Sequence, residues 1–442
     1  MKNTCKVLDQ LRAYESRNVL FTEPDGSWPI VWEHARGVQV WDAEGRPYLD
    51  LTAAFGVASA GHANPRVVRA GRNQMARLLH AMGDVHPHAQ KALLARDLSR
   101  LTFERWTAPK EKGTRRKAKP PSLTGKVIFN NSGFEAVESA LKTARLATGR
   151  KGIIAFKGAY HGLGYGALNA THREHFRGPF RDQLGAFGHF VPFPTREENL
   201  PKLEQALHTR LQRHPVGAIL AEPVQARGGI NVPPAGFLPL LRRLCDAHGA
   251  LLILDEIYTG FGRTGAWFAC EHSGVVPDLV CLGKALTGGF PLSACVGRAD
   301  VMDAAWPAST GEAIHTSTYL GHPVGCAMAL AQIEELRRLK LIPRSAKLGA
   351  WLLGHLRSME AEDLKIEARG LGLMLGLELR RGNGSPAGTE AMTLIKRLLR
   401  RGFILLPEGG HGNVISLTPP LTITKRQLWP FLMALEEYLL RP

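Results

Sequence analysis

Lys284 closes the stretch Leu279-Val-Cys-Leu-Gly-Lys284 and is followed by the pair Gly288-Gly289. A lysine on a tight, glycine-rich turn after an apolar run suits an amine that must lose its proton and act as a nucleophile. A second apolar run, Leu251-Leu-Ile-Leu254, ends in Asp255 and Glu256. A carboxylate at the end of a buried strand is costly unless it meets a cation or hydrogen-bond donors. A third segment, Asn130-Asn-Ser-Gly-Phe-Glu135, stands between an apolar run and a helical pattern with apolar residues at Phe134, Val137, Leu141 and Ala144. Ser132 and Glu135 have the spacing of a capping box. Gly133 lets backbone approach a ligand there, and the free N–H groups and helix dipole favour a phosphate. Each feature alone also has a plain structural reading: a capped helix start, a hydrogen-bonded aspartate, a solvated lysine. Together they supply a phosphate anchor, a strand-end acid and a reactive amine.

Those are the three requirements of pyridoxal phosphate: a phosphate cradle, an acid for the pyridinium nitrogen and a lysine for the Schiff base. The segment Gly260-Phe-Gly-Arg-Thr-Gly265 is formally GxGxxG. The residues after it, Ala266-Trp-Phe-Ala-Cys-Glu-His-Ser-Gly274, are aromatic and soon ended by a glycine, not the clean helix a dinucleotide site needs. Gly162-Leu-Gly-Tyr-Gly166 is a similarly weak signal.

The elements that must position these residues read as α/β. Short apolar runs at 127–129, 153–156, 217–221, 250–254 and 279–282 alternate with helical patterns, the signature of a largely parallel sheet. Helices are expected at 66–81, 89–101, 134–148, 200–213, 236–248, 324–340, 346–358, 388–401 and 425–440, the last opened by the capping box Thr424-Lys-Arg-Gln427. Hydrophobic residues make up 44% and charged residues 21% of the 442, which excludes a mainly disordered chain. No apolar stretch approaches the roughly 20 residues of a membrane helix. The stretch 1–17 has no apolar signal block, and six cysteines without paired metal spacing read as reduced core thiols. A cytosolic protein without a metal is the expectation. The net charge of +17 is partly local: residues 109–121 hold six Lys/Arg and one Glu. That run reads as a solvated loop, with an anion-binding patch as the other reading; no aromatic residue interleaves it for base stacking.

With these motifs in place, the chain resembles the class III pyridoxal-phosphate-dependent aminotransferases, the family of the ornithine, acetylornithine and 4-aminobutyrate enzymes. The resemblance covers about 20–435 and rests on NNSGFEAVE, GAYHG, AEPVQ, LDEIYTGFGRTG, LGKALTGG, HTSTYLGHPVG, RGLGLMLGLEL and ISLTPPLTIT in order. It implies fold type I: a large domain, 60–320, with a mainly parallel seven-stranded sheet, and a smaller α+β domain from 1–59 and 321–442. It implies that Lys284 carries the Schiff base and moves the substrate proton, and that Asp255 pairs with the pyridinium nitrogen. Ser132, Gly133 and Phe134 would hold the phosphate. Tyr160 would stack on the ring with His161 beside it, and Glu222 and Tyr258 would lie close by. Thr318 would reach the phosphate of a neighbouring subunit, making a homodimer.

The departures from the family bear on substrate. Arg227 stands where the ornithine and 4-aminobutyrate enzymes have Glu, and Ser416 where they have Arg; the switchable pair of those relatives cannot exist here in its usual form. Phe55 replaces a tyrosine of the ornithine enzymes. The expected reaction is transfer of an amino group from a primary amine or ω-amino compound to a 2-oxo acid, either pyruvate or 2-oxoglutarate, with Arg227 holding the acceptor carboxylate. The alternatives are an aminomutase or dialkylglycine decarboxylase of the same fold, or a non-catalytic basic nucleic-acid-binding relative. Intact Lys284, Asp255 and Thr318 speak against the last.

Overall fold

The computed structural model describes residues 2–23, 26–108 and 123–440. The basic run 109–121 therefore lies outside the described residues. The central sheet, among the described residues, has seven strands in the order Gly125–Asn130, Ser293–Arg298, Leu279–Leu282, Leu251–Asp255, Val216–Ala221, Gly152–Phe156 and Gly188–Val191. Ser293–Arg298 runs antiparallel to both of its neighbours, and the remaining adjacent pairs are parallel. Gly152–Phe156 and Val216–Ala221 are buried at every position. Sheets covered on both faces favour such unbroken apolar runs over alternation.

Helix Gly133–Thr148 packs on this sheet through Ala136, Val137, Ala140, Leu141 and Ala144, and stops at Gly149, whose φ of 68° suits glycine. Glu135 Oε2 accepts from Asn131 N (2.9 Å) and Ser132 N (2.7 Å), so the acid of the expected capping pair ties down the turn. The last helix, Lys425–Leu440, opens with both legs of its capping box: Thr424 N donates to Gln427 Oε1 and Gln427 N to Thr424 Oγ1. The helix expected over 66–81 ends at Arg77, and its apolar residues Leu78 and Leu79 are exposed. The helix expected from 346 begins at Leu341, because Lys340, at φ 51°, already breaks it from Pro323–Arg338 and Pro343 is tolerated in a first turn.

Among the described residues there are two further sheets, each of four strands. Trp32–Arg36, Gln39–Asp42 and Pro47–Asp50 form an antiparallel set to which Phe403–Ile404 adds in parallel. Leu364–Leu371, Met374–Arg381, Val414–Leu417 and Leu406–Glu408 form the other. The segment after Val414–Leu417 is fastened to the residues that follow Pro47–Asp50. Thr418 N donates to Leu51 O (2.8 Å) and Leu421 N to Ser59 O (2.9 Å). Arg263, fully buried, donates through Nη1 to Leu373 O (2.9 Å) and Pro419 O (2.6 Å). The GxGxxG segment thus places a structural arginine rather than a nucleotide cradle.

Candidate active site

Six strands of the central sheet point one way, and their carboxyl ends form one edge. Asp255 ends Leu251–Asp255, Glu222 follows Val216–Ala221, and Tyr160 and His161 follow Gly152–Phe156. Lys284 follows Leu279–Leu282, and Gly133 follows Gly125–Asn130. Open α/β sheets bind ligands along that edge. A cavity of about 560 Å³ opens there. Of the twelve residues singled out by sequence, ten line it: Phe55, Gly133, Phe134, Tyr160, His161, Glu222, Arg227, Asp255, Tyr258 and Lys284. Ser132 does not line it; its hydroxyl donates to Glu135 Oε2 at 3.0 Å. Thr318 is exposed and does not line it.

Lys284 is partly buried on the cavity wall, and its Nζ sits 4.5 Å from the centre of the Tyr258 ring. Burial lowers the ammonium's pKa, opposed by the negative charges of Asp255 and Glu222. Its φ of 43° is a left-handed conformation that costs a non-glycine residue about 1–2 kcal/mol. Asp255 Oδ2 lies 2.8 Å from His161 Nδ1, and Asp255 Oδ1 accepts from Ile257 N at 3.1 Å. Glu222 accepts from Tyr160 N and Ala226 N, both at 3.0 Å. Burial raises its carboxyl to about 7. The Tyr258 hydroxyl is 3.1 Å from Thr418 Oγ1, and burial pushes it up to about 12. Glu256, the other strand-end acid, turns away and accepts from Ala269 N and Cys270 N; it braces a loop.

The residues present fit pyridoxal phosphate. A reactive amine and an acid share one cavity wall, and His161 Nε2 is a buried polar atom without a hydrogen-bond partner among the described residues. Gly133 and Phe134 begin a sixteen-residue helix whose first-turn N–H groups have no partner within the helix. A Cβ on Gly133 would stand 3.1 Å from Ile257 Cδ1, so glycine keeps that turn close to the cavity wall.

The sequence reading missed Glu408. This residue, on Leu406–Glu408, is 4% exposed, and its Oε2 lies 3.4 Å from Arg227 Nε. The register of this sheet puts Leu406 opposite Ser416, so the acid sits one strand over from the position where relatives carry Arg. Arg227 in place of an acid was the available signal: a half-buried guanidinium needs a counter-charge nearby.

The family model for aminotransferase class III matches residues 21–439. The chain is 37% identical to the 5-aminovalerate aminotransferase DavT of Pseudomonas aeruginosa, over 92% of this chain and 93% of that one. It is 38% identical to the putrescine aminotransferase of Pectobacterium atrosepticum, over 90% and 80% respectively. The solved structure of an (S)-enantioselective ω-transaminase from Thermomicrobium roseum superposes with a TM-score of 0.85 at 28% identity, covering 98% of both chains. With the motifs, the mainly parallel sheet and the cavity at its carboxyl edge, these matches place the chain in the class III family of pyridoxal-phosphate-dependent aminotransferases.

Proposed function

We propose that this enzyme moves the amino group of an ω-amino compound or weakly polar primary amine to a 2-oxo acid, with Lys284 as the covalent anchor of the cofactor. The observation that carries the reading is Lys284 lining one cavity with the Asp255–His161 pair and Arg227. Pyridoxal phosphate, when bound, supplies the electron sink that lets the amine carbon give up a proton. Lys284 Nζ, whose ammonium pKa desolvation lowers, would take that proton and return it. Asp255, oriented by Ile257 N and His161, would meet the ring nitrogen and keep a proton there. Tyr160 would pack on the ring, and Gly133 and Phe134 would offer N–H groups to the phosphate. Tyr258 lies against Lys284 and restricts its swing.

The apolar wall of Phe55, Phe134, Leu163, Val224 and Ile257 favours a donor with an apolar body. The relatives named for 5-aminovalerate and putrescine point to ω-amino donors. Arg227 supplies the bidentate donor that the acceptor carboxylate needs. The same reading makes the enzyme a cytosolic homodimer divided as 60–320 and 1–59 with 321–442. All six cysteines are unpaired, and no described helix is long and apolar enough to cross a membrane. Met75, Leu78, Leu79, Met82, Val85, Ile314 and Tyr319 are exposed apolar residues on the segment 75–85 and around Thr318, a surface for a second copy.

A panel of terminal amines, each paired with pyruvate and with 2-oxoglutarate, tests the reading by the amino acid formed. Alanine or glutamate should accumulate in step with amine consumed. Amine turnover without either amino acid would contradict transamination.

A further inference from the structure

Arg227 lines the cavity, and Glu408 behind it does not. Their backbones are clasped: Gly409 N donates to Arg227 O at 3.1 Å, and a Cβ on Gly229 would stand 3.4 Å from Gly409 Cα. The side chains are held loosely. The Nε–Oε2 separation is 3.4 Å, and neither atom has a hydrogen-bond partner among the described residues. The guanidinium also lies 5.4 Å from the Tyr160 ring centre, on the cavity side. A fixed backbone with a loosely paired side chain gives Arg227 a second position at little cost.

Glu408 is buried, 4% exposed. The charged groups facing it are Arg227, Arg173 and Lys284, with the phenols of Tyr160 and Tyr258. Arg173 is committed in part elsewhere, reaching Gly409 O at 3.5 Å. Burial already holds the Glu408 carboxyl above the ordinary carboxylate range, against the pull of these cations. If Arg227 leaves, a buried carboxylate loses its nearest counter-charge, and protonation is its relief.

We propose that Glu408 is the resting partner of Arg227 and yields the guanidinium to the carboxylate of the incoming 2-oxo acid, taking up one proton from solvent as it does so. The inference rests on the reading that Arg227 binds that carboxylate. The pair then serves two substrates in turn. An uncharged donor end meets a wall whose charges cancel, and the acceptor meets a free guanidinium. The polarity is reversed from the pair of the ornithine and 4-aminobutyrate relatives: the arginine is on the segment after AEPVQ and the acid on the strand beside Ser416.

Calorimetric titration of pyruvate and 2-oxoglutarate into the cofactor-loaded enzyme without an amine, in buffers of different ionisation enthalpy, counts the protons. Across a pH series the wild type should take up to about one proton per acid bound, and over the range where uptake occurs its Kd should rise with pH by up to about tenfold per unit. Glu408→Gln should remove that uptake and flatten the pH dependence, whereas Glu408→Asp should keep both. Wild-type proton uptake in Glu408→Gln would overturn the exchange while leaving Arg227 as carboxylate ligand. Arg227→Ala should raise Kd for the 2-oxo acid at least about tenfold, about 1.4 kcal/mol. Unchanged affinity in Arg227→Ala would overturn the underlying reading of Arg227.

Discussion

Asp255 shows how one side chain serves both fold and chemistry. Its two oxygens are held by Ile257 N and His161 Nδ1, one each, so its charge is aimed before anything binds. Charge fixed in advance in a buried site is worth far more than the same charge in water. Asp255→Ala should therefore lower the turnover number by about a hundredfold or more, with cofactor still retained through Lys284. Stopped-flow absorbance of the amine half-reaction checks this, and near-normal rates would make Asp255 a structural residue only. Of the ten chosen residues that share the cavity, Lys284, Asp255 and Gly133 stood out by pattern because they follow an apolar strand or open a helix, and the sheet brings those points to one edge; Phe55, Tyr160, His161, Glu222, Arg227 and Tyr258 came with the family resemblance. Glu408 was not legible. It lies in Pro407-Glu-Gly-Gly410, a turn-rich stretch with no periodicity, and only the register Leu406 to Ser416 brings it behind Arg227.

At the scale of elements, the turn after Pro47–Asp50 is the unusual one. Ala53, Ala54, Phe55 and Gly56 have φ of 48°, 49°, 61° and 79°, a run of left-handed backbone that L-residues resist. Buried Asp50 holds it, accepting from Thr52 N, Thr52 Oγ1 and Ala54 N. The turn sets Phe55 in the cavity wall, and Gly56 lets Tyr258 approach: a Cβ there would stand 2.8 Å from Tyr258 Cε1. Ala54→Gly should relieve strain and stabilise the enzyme by up to about 1 kcal/mol, raising Tm by about 1–2 °C. A lower Tm by calorimetry would show that the turn is unstrained. Such a turn leaves no mark in sequence, since Ala-Ala-Phe reads as helix or core. The strands Gly188–Val191 and Ser293–Arg298 also escaped sequence reading. The first is only partly buried and the second carries small residues, so neither gives the strongly apolar run that marked the others.

At the scale of the molecule, the site is read as shared between two copies. Thr318 lies on a segment fastened to its own chain by Thr316 Oγ1 donating to Asp84 Oδ2 at 2.7 Å, beside the exposed apolar residues 75–85. Light scattering should give twice the monomer mass, and Thr318→Ala should weaken cofactor retention about tenfold without changing that mass, the loss of one hydrogen bond to a charged group. A fully active monomer would contradict the shared site. Whether Lys284 is the covalent anchor, on which every other role in the site depends, is decided by trapping the linkage. The purified holoenzyme is reduced with borohydride, digested, and its peptides are mapped by mass spectrometry. The pyridoxyl label is expected on the peptide containing Lys284, with no label in Lys284→Ala. A label on any other lysine, or none on Lys284 in enzyme that carries the cofactor, would contradict that role.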